Sequence, residues 1–294
     1  YLDGKNVPTL GVGYALIVQN QTGQWIRRSD TQLAQQLGTM SISLTQADKD
    51  ILDAAAAALN GTPVPAGIPT IAHWNAGSPD PNNTPFSFGT ITEPQFQPLF
   101  NLLVDNATTT LIAKVGQPVF SALAGSNEMV ALLSLTFNSP ALIGSNLIRA
   151  LQAGERSDAW FEIRYNTNKE RTTNLSVAPG LANRRYAESD LFGLYNGDPA
   201  APAPDVAEAK DVLRMYTTNR SHILGYESTP GFAPPTISLA TYLAPGRDRL
   251  ITDFAQGRTI DGEVLVGRDN LLSGDAFPEL LAGTAAGDLM LGEA

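Results

Sequence analysis

The sequence predicts an α+β protein, mostly helical, with a small β-hairpin lobe at the start and a β-solenoid-like repeat region at the end. Three observations predict it. Glycines alternate with short residues over Pro8-Thr9-Leu10-Gly11-Val12-Gly13-Tyr14, as in a hairpin with close backbone approaches. Apolar residues then recur at helical spacing in a series of segments from residue 46 to 224. Finally, Asn270-Leu271-Leu272-Ser273-Gly274, Glu279-Leu280-Leu281-Ala282-Gly283 and Asp288-Leu289-Met290-Leu291-Gly292 align at a spacing of nine.

The first helix is expected near 46–60. Thr45 with Asp48 reads as a capping box, Ala54 to Leu59 has high helix propensity, and Asn60-Gly61 is a stop. Residues 61–91, rich in Pro, Gly and Asn, read as a long loop, which inside a domain signals function or disorder. Thr92-Glu93-Pro94-Gln95 opens a long helix near 92–116, carried by Phe96, Leu99, Phe100, Leu103 and Val104. Glu128 to Phe137 reads as a buried central helix, followed by Ser145 to Leu151, stopped at Gly154. Asp158 to Tyr165 places Trp160 and Phe161 in the core. In the helix from Leu181 to Leu194, Arg184, Arg185, Glu188 and Asp190 occupy the polar positions, as solvated charges and intrahelical ion pairs. Asp198-Pro199-Ala200-Ala201-Pro202-Ala203-Pro204 is a stiff linker-like run. One more helix is expected at 205–224, and the rest is Pro/Gly-rich to about 261. The predicted division is 1–198 as a domain, 199–260 as linker and accessory helix, and 261–294 as nonapeptide repeats, degenerate or truncated.

Composition narrows the function classes. The 294-residue chain has a net charge of −10 and no cysteine, which excludes disulfides, thiolate metal sites and a cysteine nucleophile. Residues 1–198 carry 12 Lys+Arg against 16 Asp+Glu, and residues 199–294 carry 7 against 13. Such acidity argues against nucleic acid as a partner, because phosphate contacts need clustered cations. No apolar run approaches the roughly 18 residues of a membrane span, so no transmembrane segment is expected. With only His73 and His222, a histidine metal site or a Ser-His-Asp triad is disfavoured. No signal peptide is visible, and the opening Tyr1 is not a methionine, so the natural N-terminus is expected upstream.

Three stretches in order resemble the phage-type lysozymes (glycoside hydrolase family 24). Tyr1-Leu2-Asp3 with Pro8-Thr9-Leu10-Gly11-Val12-Gly13 looks like that family's catalytic hairpin. Ala131-Leu132-Leu133-Ser134-Leu135-Thr136-Phe137-Asn138, then Gly144-Ser145-Asn146-Leu147-Ile148-Arg149, resembles its central helix and the helix after it. Gly180-Leu181-Ala182-Asn183-Arg184-Arg185-Tyr186-Ala187-Glu188 looks like its Arg-Arg helix. The resemblance spans about residues 1–195 and implies a lysozyme-like, two-lobed domain around a cleft, acting as a muramidase on peptidoglycan.

The resemblance implies a role for each matched residue. Asp3 would steer the attacking water, Thr9 would hold it, and Arg184 would support the general acid. The glutamate serving as acid in the family would lie upstream of Tyr1. Inverting hydrolysis needs both carboxyl groups, roughly 6.5–9.5 Å apart. Taken alone, Asp3 also suits a turn-stabilising role, and Arg184 a solvated helix face. His73 and Trp74 in the long loop, and Asn138, are the candidate substrate contacts; for His73 and Trp74 a loop anchor packed on the domain is the commoner role of such a pair. The terminal repeats resemble RTX-type calcium repeats lacking most of the expected aspartates, with Asp269 and Asp288 as weak calcium candidates. No cofactor is expected for catalysis. The expected setting is a secreted, monomeric protein of bacterial or phage origin, and the competing reading is a non-catalytic glycan-binding module of a large secreted repeat protein.

Overall fold

The computed structural model describes residues 7–11, 13–63, 86–89, 91–167, 179–196, 204–228, 238–255, 264–266 and 289–291. Asp3, His73, Trp74, Asp269 and Asp288, and the nine-residue repeats apart from Leu289–Leu291, lie outside them. The described chain is mostly helical with small two-stranded sheets. It forms two compact units, residues 1–106 and 107–294.

The first unit opens with the expected hairpin. Strands β1 (Thr9–Leu10) and β2 (Tyr14–Ala15) pair antiparallel, Leu10 opposite Tyr14. Gly11 turns the chain at φ 51°, a left-handed conformation that favours glycine. A second hairpin, not anticipated from sequence, joins β3 (Ile17–Gln19) to β4 (Trp25–Arg27). Its turn is organised by Asn20, whose Oδ1 accepts from Thr22 N, Thr22 Oγ1 and Gln24 N.

Helix α1 (Asp30–Gly38) is also new, although its capping box, Ser29 with Gln32, is plain in the sequence. Helix α2 (Gln46–Leu59) starts on the predicted box of Thr45 and Asp48. The stop residue Asn60 does more than end it. Its side chain accepts from Trp25 N (2.9 Å) and donates to Trp25 O (2.8 Å), completing both backbone bonds of a strand-edge residue. Leu16, Ile17, Leu33, Leu37, Leu52 and Leu99 form the core of this unit.

Helix α3 (Glu93–Val115) begins in the first unit and ends in the second. There α4 (Gln117–Ala122), α5 (Asn127–Asn138), α6 (Ser145–Ala153), α7 (Arg156–Phe161), α8 (Pro179–Phe192), α9 (Val206–Glu227) and α10 (Leu239–Phe254) follow. Gly154 caps α6 in the left-handed conformation, as its position in the sequence suggested. Helix α7 runs into a π-helical turn over Glu162–Asn166, where a regular helix to Tyr165 was expected. Helix α10, with Pro245 inside it, replaces the irregular stretch read from its prolines and glycines. Leu132, Leu135, Ala150, Trp160, Ile163, Val212, Ile223 and Tyr226 share one core, so α9 packs into the same interior as α5–α7. Beyond it, Ala209, Leu213, Leu250, Val264 and Val266 form a smaller cluster under β5 (Val264–Val266), which pairs in parallel with β6 (Leu289–Leu291).

Candidate active site

Two helices of the second unit bring predicted site residues together. Ser134 and Asn138 stand one turn apart on α5, and Arg184 and Glu188 one turn apart on α8. Residues four apart share a helix face. The contacts cross as two rungs: Ser134 Oγ donates to Glu188 Oε1 at 2.6 Å, and Arg184 Nη1 donates to Asn138 Oδ1 at 3.2 Å. The higher-numbered residue of α5 meets the lower-numbered residue of α8, so the helices run antiparallel here. Arg184 Nε also reaches Glu188 Oε1 at 3.3 Å, linking the rungs along α8.

The electrostatics of this ladder differ from the solvated face expected. Glu188 is 4% exposed and Arg185 only 1%, while the Arg184 side chain is 45% exposed. Arg185 Nη1 lies 2.8 Å from Glu188 Oε2 as an ion contact. Burial pulls the Arg185 guanidinium below its ordinary value, against the opposing pull of Glu188. Apolar neighbours explain the burial: Ala182 and Tyr186 of the same helix belong to the unit's core, and Arg185 and Glu188 are buried with them. Asp190 forms no intrahelical pair of the kind read from sequence. It meets Arg164, described below.

Thr9, the third predicted site residue among those described, belongs to the first unit. It is buried, and its Oγ1 donates to Val7 O at 2.9 Å. Its position on the catalytic-type hairpin is held by Gly11, whose backbone lies against the Phe96 ring of α3. Tyr14, at the other end of the hairpin, is buried with its hydroxyl on Gln36 and the Arg28 guanidinium 4.9 Å from its ring centroid.

A second polar centre escaped the sequence reading. Arg164, in the π-helical turn, is fully buried. Its guanidinium carbon lies 4.4 Å from the Tyr186 ring centroid, 5.0 Å from Trp160, 5.2 Å from Tyr242 and 5.8 Å from Tyr165. Its Nη1 binds Asp190 Oδ1 and Ser189 Oγ, both at 3.0 Å. The Tyr242 hydroxyl donates to Asp190, and the Tyr165 hydroxyl donates to Glu227. Burial pushes the Tyr165, Tyr186 and Tyr242 hydroxyls well above the ordinary tyrosine value, so all three stay protonated as donors. One cation thus ties the π-turn to α8, α9 and α10. The density of aromatic residues around 160–165 hinted at a core, but nothing local showed that an arginine would enter it.

Glu188 and Ser134 were also missed as site residues. A signal existed: Ser134 and Asn138 are polar residues four apart in the mostly apolar stretch after Glu128, facing a helix with charges at the same spacing. Among the described residues, no group of three or more His, Asp and Glu side chains is arranged to hold a metal ion. Likewise, no helix among them is long and apolar enough to cross a membrane.

Comparison with curated proteins and with solved structures returns no match. A family model does match: the phage lysozyme model covers residues 54–188, from the middle of α2 to Glu188. Ser134, Asn138, Arg184 and Glu188 all fall inside that span, whereas Asp3 and Thr9 precede it. Residues 54–188 are thus similar to the phage lysozyme family, a family of peptidoglycan hydrolases.

Proposed function

We propose that the protein is a muramidase, hydrolysing the β-1,4 bond between N-acetylmuramic acid and N-acetylglucosamine of peptidoglycan. The observation that carries the reading is the Arg184–Asn138 contact inside the span that matches phage lysozyme. It joins two residues chosen from sequence on different helices. In this reading Asp3 accepts a proton from the attacking water, and Thr9 orients that water through its hydroxyl oxygen. The leaving oxygen takes its proton from a glutamate upstream of Tyr1, and Arg184 supports that acid by its charge. The two carboxyl groups would stand roughly 6.5–9.5 Å apart, leaving room for the water on the far face of the sugar. His73, Trp74 and the loop around them would border the substrate. No metal takes part. The setting proposed is a secreted, monomeric protein.

The test is release of reducing ends from purified peptidoglycan by the protein carrying its native residues upstream of Tyr1, with Asp3→Asn as control. Release that falls at least about 100-fold in the control supports the mechanism. Retained binding to peptidoglycan without release would replace it with a glycan-binding module on a lysozyme scaffold.

A further inference from the structure

We propose that Glu188 is a positioning residue, which clamps the Arg184 guanidinium in one orientation for the hydrolysis proposed above. The inference rests on that reading for its reaction and on the α5–α8 ladder for its geometry.

Arg184 is the only member of the ladder's charged trio with substantial exposure, at 45% of its side chain. An arginine this exposed ordinarily samples rotamers on the picosecond to nanosecond scale. Here two of its three nitrogens are held: Nε by Glu188 and Nη1 by Asn138. Its Nη2 carries no bond to any described residue. The guanidinium is therefore held from two sides, with the Nη2 donors, which no described residue takes, left for an anionic oxygen. Arginine suits this use because its planar fork loses little freedom per bond once two of its nitrogens are anchored.

Glu188 is itself over-determined. Ser134 donates to Oε1 from α5 at 2.6 Å, and the Arg185 guanidinium lies against Oε2. Being buried, the carboxylate is removed from direct contact with a polysaccharide in solution, and its influence passes through Arg184. It also offsets the repulsion between two adjacent guanidinium groups, one of them buried. Removing its charge while keeping its shape would leave Arg184 repelled by Arg185 and tethered by Asn138 alone. A misplacement on the order of 1 Å in a group that orients the reaction can lower the rate about 100-fold.

The experiment is a double-mutant cycle on kcat and KM, with wild type, Glu188→Gln, Arg184→Ala and the double variant, all in the natively extended protein and below their unfolding temperatures. The expected result is a fall in kcat of about 10-fold or more for Glu188→Gln with KM changed less than about 2-fold. In the Arg184→Ala background the same substitution should change kcat less than about 2-fold, because its route of action is gone. Independent, multiplicative losses would overturn the proposal, as would an unaffected Glu188→Gln. Should Glu188→Gln unfold, Ser134→Ala loosens the same carboxylate with a smaller disturbance and is put through the same cycle. The clamp is also read without turnover, from the Arg184 Nε–Hε NMR signal. Slow rotation about Nε–Cζ in wild type and fast averaging in Glu188→Gln support it; averaging already present in wild type overturns it. If wild type releases no reducing ends while the signal behaves as expected, the hydrolase reading fails and the clamp stands as a feature of a binding protein.

Discussion

Gly11 lies so close to the tip of the Phe96 ring that a Cβ placed on it would stand 2.4 Å from the ring's Cζ, with two further ring carbons at 2.5 and 2.6 Å. The turn of the first hairpin and the start of α3 are thus packed backbone against ring. Two costs coincide at Gly11, since its φ of 51° is also unfavourable for a side chain. Gly11→Ala is expected to destabilise the first unit by about 2–4 kcal/mol, combining overpacking with backbone strain. Urea unfolding monitored by tryptophan fluorescence would measure it. A Phe96→Leu partner substitution should return part of the loss, whereas strictly additive effects would mean that the contact is not the cause.

The Asp48 carboxylate gives a pH dependence with a definite sign. Burial pushes its carboxyl up, but hydrogen bonds from Ser87 and Thr45 together outweigh that and leave it below the ordinary 3.8. In the unfolded chain it protonates first as pH falls, so the unfolded state binds more protons. Its contribution is therefore intact above about pH 4 and is lost as pH falls below 3.8 and through the lower folded value. Asp48→Asn should lose about 1–3 kcal/mol at neutral pH by leaving the Ser87 and Thr45 donors poorly paired. It should also show a shallower loss of stability between pH 4 and pH 2 than the wild type in thermal melts, both pH values being approximate bounds on the titration range of a carboxylate. Parallel pH profiles would show that Asp48 is not a source of acid sensitivity.

Arg164 is the cation on which the second unit closes. Arg164→Met keeps much of the volume but leaves Asp190 and Glu227 facing aromatic rings without a counter-charge. A loss of about 3–5 kcal/mol is expected, as for breaking other buried ion pairs from one side. Arg164→Lys should recover only part of it, because an ammonium cannot pair in fork geometry while stacking on Tyr186. Chemical denaturation of the three proteins decides this; full rescue by lysine would show that charge alone is at work.

Truncation tests the packing of α9 and α10. A chain ending at residue 198 would lack Val212, Met215, Ile223 and Tyr226, all buried in the core built by α5 and α7. It should retain helical far-ultraviolet circular dichroism yet lose near-ultraviolet signal and bind a hydrophobic dye, the signs of lost side-chain packing. A truncated chain that melts as cooperatively as the full one would show that the later helices are ornamental.

The sequence was most legible where a local rule and the hydrophobic period agreed. The box at Thr45, the glycine stop at Gly154 and the long apolar period after Thr92 each mark an element that the structure contains. Legibility failed where a tertiary partner overrode local chemistry. Pro245 and Gly246 argue against a helix, yet α10 forms there, with Gly246 N donating to the Tyr195 hydroxyl. Arg185 and Glu188 sit at polar positions of an amphipathic pattern, and become interior because each neutralises the other. Arg164 could not be placed from its neighbours, since its anions come from Asp190 and Glu227, far along the chain. At the candidate site, Asn138 and Arg184 were legible singly through the family resemblance, and their meeting came only from the antiparallel register of α5 and α8.

The shared core of α5, α7 and α9 separates two borders that are easily confused. The match to the phage lysozyme model ends at Glu188, whereas the packed interior runs on to Tyr226 and Leu239. Amide protons in the middle of α9 should then exchange with solvent only through the opening that also releases those of α5, at one common free energy. The span that matches a family and the span that unfolds as one would then have different limits, with helices outside the match indispensable to those inside it.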